Sequence, residues 1–285
     1  TIKFTGYPYE LLCNLRKSMN MSTLDCSCIS NQISVPPYIK YTFDKQFETL
    51  INNARDKGGI KENVMVCVDT SGSMTENIAP NVECLDVSIS LGLYFSALNT
   101  GEFKDTLMQF ASVPKFLKLT GTFTERVNKM RNSDLFGNCG GSTNFQGVVD
   151  TIIDTRKRHP EIPLSDYPST LLMISDMQFN TPKYGWLYEN SDKTNNEEMM
   201  DKLRSVFPDS FVDSMKFIWW QVNGNAKDVP ATLNDKGNIL ISGFDGSIIS
   251  NILGEEAKET QKHETLMEDV VKNALSQEIL SLINL

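Results

Sequence analysis

Histidine is nearly missing from this chain: there are two, His159 and His263, in 285 residues. His159 stands before Pro160 in a polar connector and His263 on a terminal helix, and both read as surface residues. A Ser-His-acid triad therefore has no obvious base, and an imidazole-built zinc site lacks its ligands. Cysteine is sparse as well, with six at positions 13, 26, 28, 67, 84 and 139. Only Cys26 and Cys28 are close together, a single C-x-C, which makes a poor zinc site and no disulfide framework. That usage fits a reducing, intracellular (cytoplasmic) setting. Positive charge is in deficit, with 27 Lys and Arg against 36 Asp and Glu, a net charge of −9. Direct nucleic-acid binding needs clustered Lys and Arg, so this balance argues against it. No apolar run approaches the ~20 residues of a membrane span and no secretory leader opens the sequence, so no membrane role is expected. The phosphate-loop pattern G-x-x-x-x-G-K-S/T and the G-x-S-x-G elbow are both missing.

Hydrophobic residues make up 40% of the chain, enough for a proper core. The run VMVCV (64–68) reads as a buried strand, continuous and β-branched rather than alternating. STLLMIS (169–175), MKFIWWQV (215–222) and NILIS (238–242) read the same way, and DTLMQFA (105–111) and PKFLKLT (114–120) as short strands around a turn. Between them lie helical patterns. Val82 to Leu98 carries Leu85, Ile89, Leu93 and Ala97 at four-residue spacing behind Pro80. Phe123 to Met130, Phe145 to Thr155 and NNEEMMDKLRSVF follow, and Met267, Val271, Leu275 and Ile279 mark a closing amphipathic helix. Buried strands alternating with helices imply an α/β fold, a mostly parallel central sheet with helices on both faces. The first 60 residues differ: YELLCNLRKSM and FDKQFETLINNA look helical around a loop-like SCISNQISVPPY. Two helices build little core alone, so they are expected to pack on the α/β unit.

The stretch VDTSGSM (68–74) leaves the first buried strand and at once presents an acid and two hydroxyls, Asp69, Ser71 and Ser73. In open α/β sheets, ligands bind beyond the carboxyl ends of the strands, where strand order reverses. Asp176, in ISDMQF, follows the end of another buried strand, and Thr143, in GNCGGSTNFQG, precedes a helix. Taken singly these are ordinary turn and cap residues. Taken together, hydroxyls and two carboxylates without a histidine or thiolate suit a hard cation, most naturally Mg²⁺. An aspartic protease is a poor match, since Ser71 separates Thr70 from Gly72 and no second Asp-Thr/Ser-Gly occurs.

DTSGS, then the Thr of GGSTNF, then the Asp of ISDMQF resemble the Asp-x-Ser-x-Ser, Thr, Asp pattern of the metal-ion-dependent adhesion site in von Willebrand factor A domains. The resemblance spans roughly residues 60 to 255. Within that superfamily the chain is similar to the C-terminal domains of Ro-type ribonucleoproteins and to a related viral and plant family of unknown function. SDMQF, FIWWQVNG and ILISGFDGSIISNIL carry the latter likeness. The resemblance implies a von Willebrand A (Rossmann-like) domain over 60–285 with its C-terminal helix, and a helical extension over 1–59, the end of a larger upstream helical region. It implies that Ser71, Ser73 and Thr143 offer hydroxyl oxygens to Mg²⁺ (or Mn²⁺ or Ca²⁺), with Asp69 and Asp176 holding it directly or through water. It also implies one open coordination position, filled by an Asp or Glu of a protein partner. The expected function is metal-dependent protein binding without catalysis. The alternatives are a scaffold in a Ro-like ribonucleoprotein, where RNA binds mainly to the helical part and the metal is structural, and, further off, a Mg²⁺-dependent hydrolase.

Overall fold

A computed structural model describes residues 6–21, 35–56, 58–60, 62–110, 113–132, 145–176, 195–223 and 238–243. The apolar run after Asn63 forms strand β1 (Val64–Asp69), buried at every position. A 3-10 turn at Gly72–Thr75 leads into a small hairpin, β2 (Asn77–Ala79) and β3 (Val82–Glu83), whose strands pair antiparallel. Helix α3 (Cys84–Leu98) then runs back along the sheet; it is preceded in the chain by α1 (Pro8–Ser18) and α2 (Pro37–Asp56). Next come β4 (Thr106–Phe110), β5 (Lys115–Lys118), α4 (Phe123–Asn132) and α5 (Phe145–Arg158). After β6 (Thr170–Ser175), α6 (Asn195–Arg204) and α7 (Asp209–Ser214) precede β7 (Lys216–Gln221) and β8 (Asn238–Ser242).

The six long strands form one sheet in the order β5-β4-β1-β6-β7-β8. All neighbours are parallel except β5, which pairs antiparallel with β4 at an edge. Both sheet faces are apolar because the strands alternate between two cores. Val64, Val66, Val68, Leu172, Ile174 and Trp220 face the layer of α1, α2, α3 and α4. Met65, Cys67, Met108, Phe110, Met173 and Trp219 face α5, α6 and α7. The expected α/β architecture, helices on both faces of a mostly parallel sheet, is the observed one. The chain proceeds from β1 outward through β4 and β5, then returns to place β6 on the other side of β1. The strand order therefore reverses between β1 and β6, which puts a crevice at their carboxyl ends.

The two N-terminal helices pack on this unit, spending their apolar stripes there. Leu11, Leu12 and Leu15 of α1 and Phe43, Phe47, Ile51 and Ala54 of α2 join the core beneath α3 and α4. Phe47 stacks on Phe123 at 5.1 Å between ring centroids, and Asp44 Oδ1 accepts from both the backbone N–H and the hydroxyl of Thr124 at 2.9 Å.

Four readings need correction. NILIS forms strand β8 as expected, but at the sheet edge and part-exposed rather than buried, since only β7 pairs with it among the described residues. Helix α3 is buried along its whole length rather than along one stripe, because α1 and α2 cover the side that four-residue spacing would leave to solvent. It also begins two residues later than Val82. Val82 and Glu83 pair in the hairpin, and a capping box between Glu83 and Asp86 then starts the helix. Helix α2 begins at Pro37, inside the stretch read as loop: proline fits a first helical turn, where its missing N–H has no partner to lose. The closing stripe from Met267 lies outside the described residues.

Candidate metal centre

The site grows from the carboxyl end of β1. Asp69 is the last residue of that strand and 1% exposed. Its Oδ1 accepts the backbone N–H of Ser71 at 2.8 Å, a local turn that bends the chain out of the strand. Its Oδ2 accepts the hydroxyl of Ser175, on the neighbouring strand, at 2.6 Å. The two bonds fix the carboxylate in one orientation.

The turn that follows brings the two expected serines together, with Ser71 Oγ and Ser73 Oγ 3.1 Å apart. Ser71 occupies the cap position of the 3-10 turn but makes no side-chain cap bond, so its hydroxyl is not spent on the role that serines most often take there. Met74, fully buried in the core next to α3, anchors the turn from below. Asp176 follows β6 directly and is 2% exposed. Asp69, Ser71, Ser73 and Asp176 thus gather at the reversal between β1 and β6. Thr143 lies outside the described residues.

Burial dominates the electrostatics. It pushes the Asp69 carboxyl from its ordinary value up to about 6; the bonds from Ser175 and Ser71 pull it down in part, and Asp176 pushes it up again. Cys84, the first residue of α3, feels the same acids: burial first, then Asp176, Glu76 and Asp69, push its thiol up to about 12. Helix α3 therefore starts beside the acid pair. Cys13, Cys67 and Cys84 are buried free thiols.

The donor set fits a hard divalent cation. Hydroxyl and carboxylate oxygens are what Mg²⁺ and Mn²⁺ select, and a buried carboxylate held above its ordinary range is one that a cation would relieve. Among the described residues there is no group of three or more His, Cys, Asp or Glu placed to hold a metal; the candidate ligands here are two carboxylates and hydroxyls. If bound, the ion would be held by Asp69, Ser71, Ser73 and Asp176.

Ser175 escaped the sequence reading. Its signal was available: a serine ending a buried apolar strand beside Asp176, on the face that β1 and β6 share with Asp69. A second buried polar pair lies on the opposite face, where Gln109 Nε2 donates to Thr70 Oγ1 at 3.1 Å. The expected surface role of His159 holds, its ring 3.1 Å from Glu161 on the protein's exterior.

Fold and site together define an α/β protein with an oxygen-rich crevice at the strand-order reversal. The chain belongs to the family described as "Domain of unknown function (DUF7788)", whose model matches residues 62–281. It is 26% identical over 226 residues to "Uncharacterized protein L728" of Acanthamoeba polyphaga mimivirus, an alignment that covers 76% of this chain and 36% of that protein. The chain thus corresponds to little more than a third of that viral relative. Among solved structures it is similar to the Ro (RSR) protein of Deinococcus radiodurans, with a TM-score of 0.47 and 14% identity over 87% of this chain and 43% of the other. No helix among the described residues is long and apolar enough to cross a membrane.

Proposed function

We propose that this chain is a metal-dependent binding module: a divalent cation, Mg²⁺ or Mn²⁺, held at the crevice between β1 and β6, captures an Asp or Glu side chain of a protein partner. The observation that carries the reading is the meeting of Asp69, Ser71 and Ser73 in one turn, with Ser71 Oγ 3.1 Å from Ser73 Oγ and free of cap duty. Neutral hydroxyl ligands leave a cation under-neutralised, so an incoming carboxylate is strongly attracted. Thr143 completes the ligand set in this reading, and the module does no chemistry of its own. Binding of a partner would then be lost with EDTA, and lost when one Asp or Glu of that partner becomes Asn or Gln. Partner binding that survives EDTA, in protein shown to remain folded, would count against the reading.

The alternative, a scaffold of a Ro-like ribonucleoprotein with a purely structural metal, would dock partners through the helical segments. The apolar stripe of α2 is already buried in the core, so such docking would use its outer face, where Tyr38 and Tyr41 are exposed. Changing Tyr38 and Tyr41 to Ser would then abolish binding that EDTA leaves intact.

A further inference from the structure

Helix α1 lies outside residues 62–281 matched by the family model, yet it reaches the elements that follow the metal turn. Its Arg16 is 4% exposed. One guanidinium nitrogen donates to the backbone carbonyl of Asn81 at 2.9 Å and to Asp86 Oδ2 at 2.6 Å, while the other lies 3.5 Å from Glu83 Oε1. Asn81 is the turn of the β2–β3 hairpin and sits in the left-handed region, with φ 62°. The hairpin begins two residues after the metal turn ends at Thr75, and the Cys84 N–H closes it by donating to the Glu76 carbonyl at 3.0 Å. One cationic fork therefore grips both the hairpin's tip and the start of α3; the hairpin follows the Ser71–Thr75 turn directly in the chain, and α3 packs against that turn.

We propose that Arg16 is a positioning residue for the metal turn, so that cation binding depends on helix α1 being docked. The proposal rests on the metal reading above. Arg16 balances two buried carboxylates, Glu83 and Asp86, which also cap the positive N-terminal end of α3, with the Cys13 thiol hydrogen-bonded to Asp86. Without the guanidinium those carboxylates must seek water or other donors, and the hairpin and helix start move with them. The Ser71 and Ser73 hydroxyls are set by that support, as supporting shells set ligands in metal sites generally.

A direct field effect has the opposite sign. Deleting a buried cation makes the surroundings more negative, which by itself would tighten binding of Mn²⁺. The sign of the change therefore separates positioning from electrostatics.

The test is calorimetric titration of the full chain with Mn²⁺, comparing the unchanged protein with Arg16→Gln, Arg16→Lys and Leu203→Ala. Leu203 is fully buried in the opposite core, so its truncation lowers stability without touching this support. Arg16→Gln is expected to weaken Mn²⁺ binding about tenfold, the lower end of what a lost supporting partner costs a metal site. Arg16→Lys should fall between, since an ammonium keeps the charge but not the fork. Leu203→Ala should bind Mn²⁺ normally despite a lower Tm. In metal-free protein, amide hydrogen exchange over residues 72–79 should speed up in Arg16→Gln and not in Leu203→Ala. If the unchanged protein binds no Mn²⁺, the metal reading and this proposal fall together. If it binds, and folded Arg16→Gln binds as tightly or more tightly, the positioning role alone is overturned; Arg16→Lys decides in the same way should the Gln variant not fold.

Discussion

Ser175 and Asp69 stand 106 positions apart in the chain and meet through one 2.6 Å hydrogen bond between adjacent parallel strands. That bond, the Ser71 N–H and the Ser71 hydroxyl are the contacts that work against burial in keeping Asp69 ionisable. Ser175→Ala removes the hydroxyl donor, so the Asp69 carboxyl should rise further and protons should compete better with a cation. A hydrogen bond to a charged group is worth about 1.5–3 kcal/mol. The expected loss of Mn²⁺ affinity is therefore about tenfold or more near pH 6 and smaller at pH 8, read by titration calorimetry at the two pH values.

The metal-free protein should carry a pH signature of the same carboxyl. Its folded value lies above its ordinary value of 3.8, at about 6. The folded state then binds the proton more tightly than the unfolded one, and the stability this contributes is full below about pH 4 and is lost as pH rises through about 6. At about 1.4 kcal/mol per unit, the ionised Asp69 costs on the order of 3 kcal/mol at neutral pH. Asp69→Asn should remove most of that cost, raising the Tm of metal-free protein at pH 7 and flattening the Asp69 contribution to the profile between pH 4 and 6. A Tm at pH 7 that falls in this variant would contradict the burial argument.

Mg²⁺ or Mn²⁺ should raise the Tm of the unchanged protein, and Asp69→Ala should abolish the rise. Binding to the native state alone adds about 2.7 kcal/mol at a hundredfold excess over Kd. For a domain of this size each kcal/mol moves Tm by about 2–4 °C. Thermal scans with and without metal, in a buffer free of competing anions, check this; no shift with either ion speaks against the site.

Gly92→Ala should destabilise the sheet–helix packing. A Cβ built at Gly92 would lie 2.5 Å from Val68 Cγ2 and 3.3 Å from Leu107 Cδ2. Val68 is fully buried on β1, one residue before Asp69, and cannot turn aside without disturbing its neighbours. Overpacking of this kind costs about 1–3 kcal/mol. Chemical denaturation should register that loss, and Mn²⁺ affinity should fall with it if the strand end shifts.

The strands and most helices were legible because their signals are local. VMVCV, LLMIS and FIWWQ are continuous apolar runs that only a sheet covered on both faces can bury, and each forms a strand there. Asp69 and Asp176 were legible for the same reason, being the first acids after such runs. The hairpin Asn77–Glu83 was not: three-residue and two-residue strands carry no periodicity, and a helical spacing continues straight through Val82.

The sequence by itself determined the class of fold, the end of the sheet at which the acids emerge, and the all-oxygen character of the candidate donor set, because hydrophobic run length and residue chemistry are properties of single segments. Tertiary structure decided the rest. It chose Ser175 as the partner of Asp69, since parallel register alone sets which residue of β6 lies opposite the end of β1. It buried all sides of α3, since only the docking of α1 and α2 closes the outer one. And it brought Arg16 to Asp86 across 70 positions, a pairing that no spacing announces, because a charge finds its partner by where the packed helices put it.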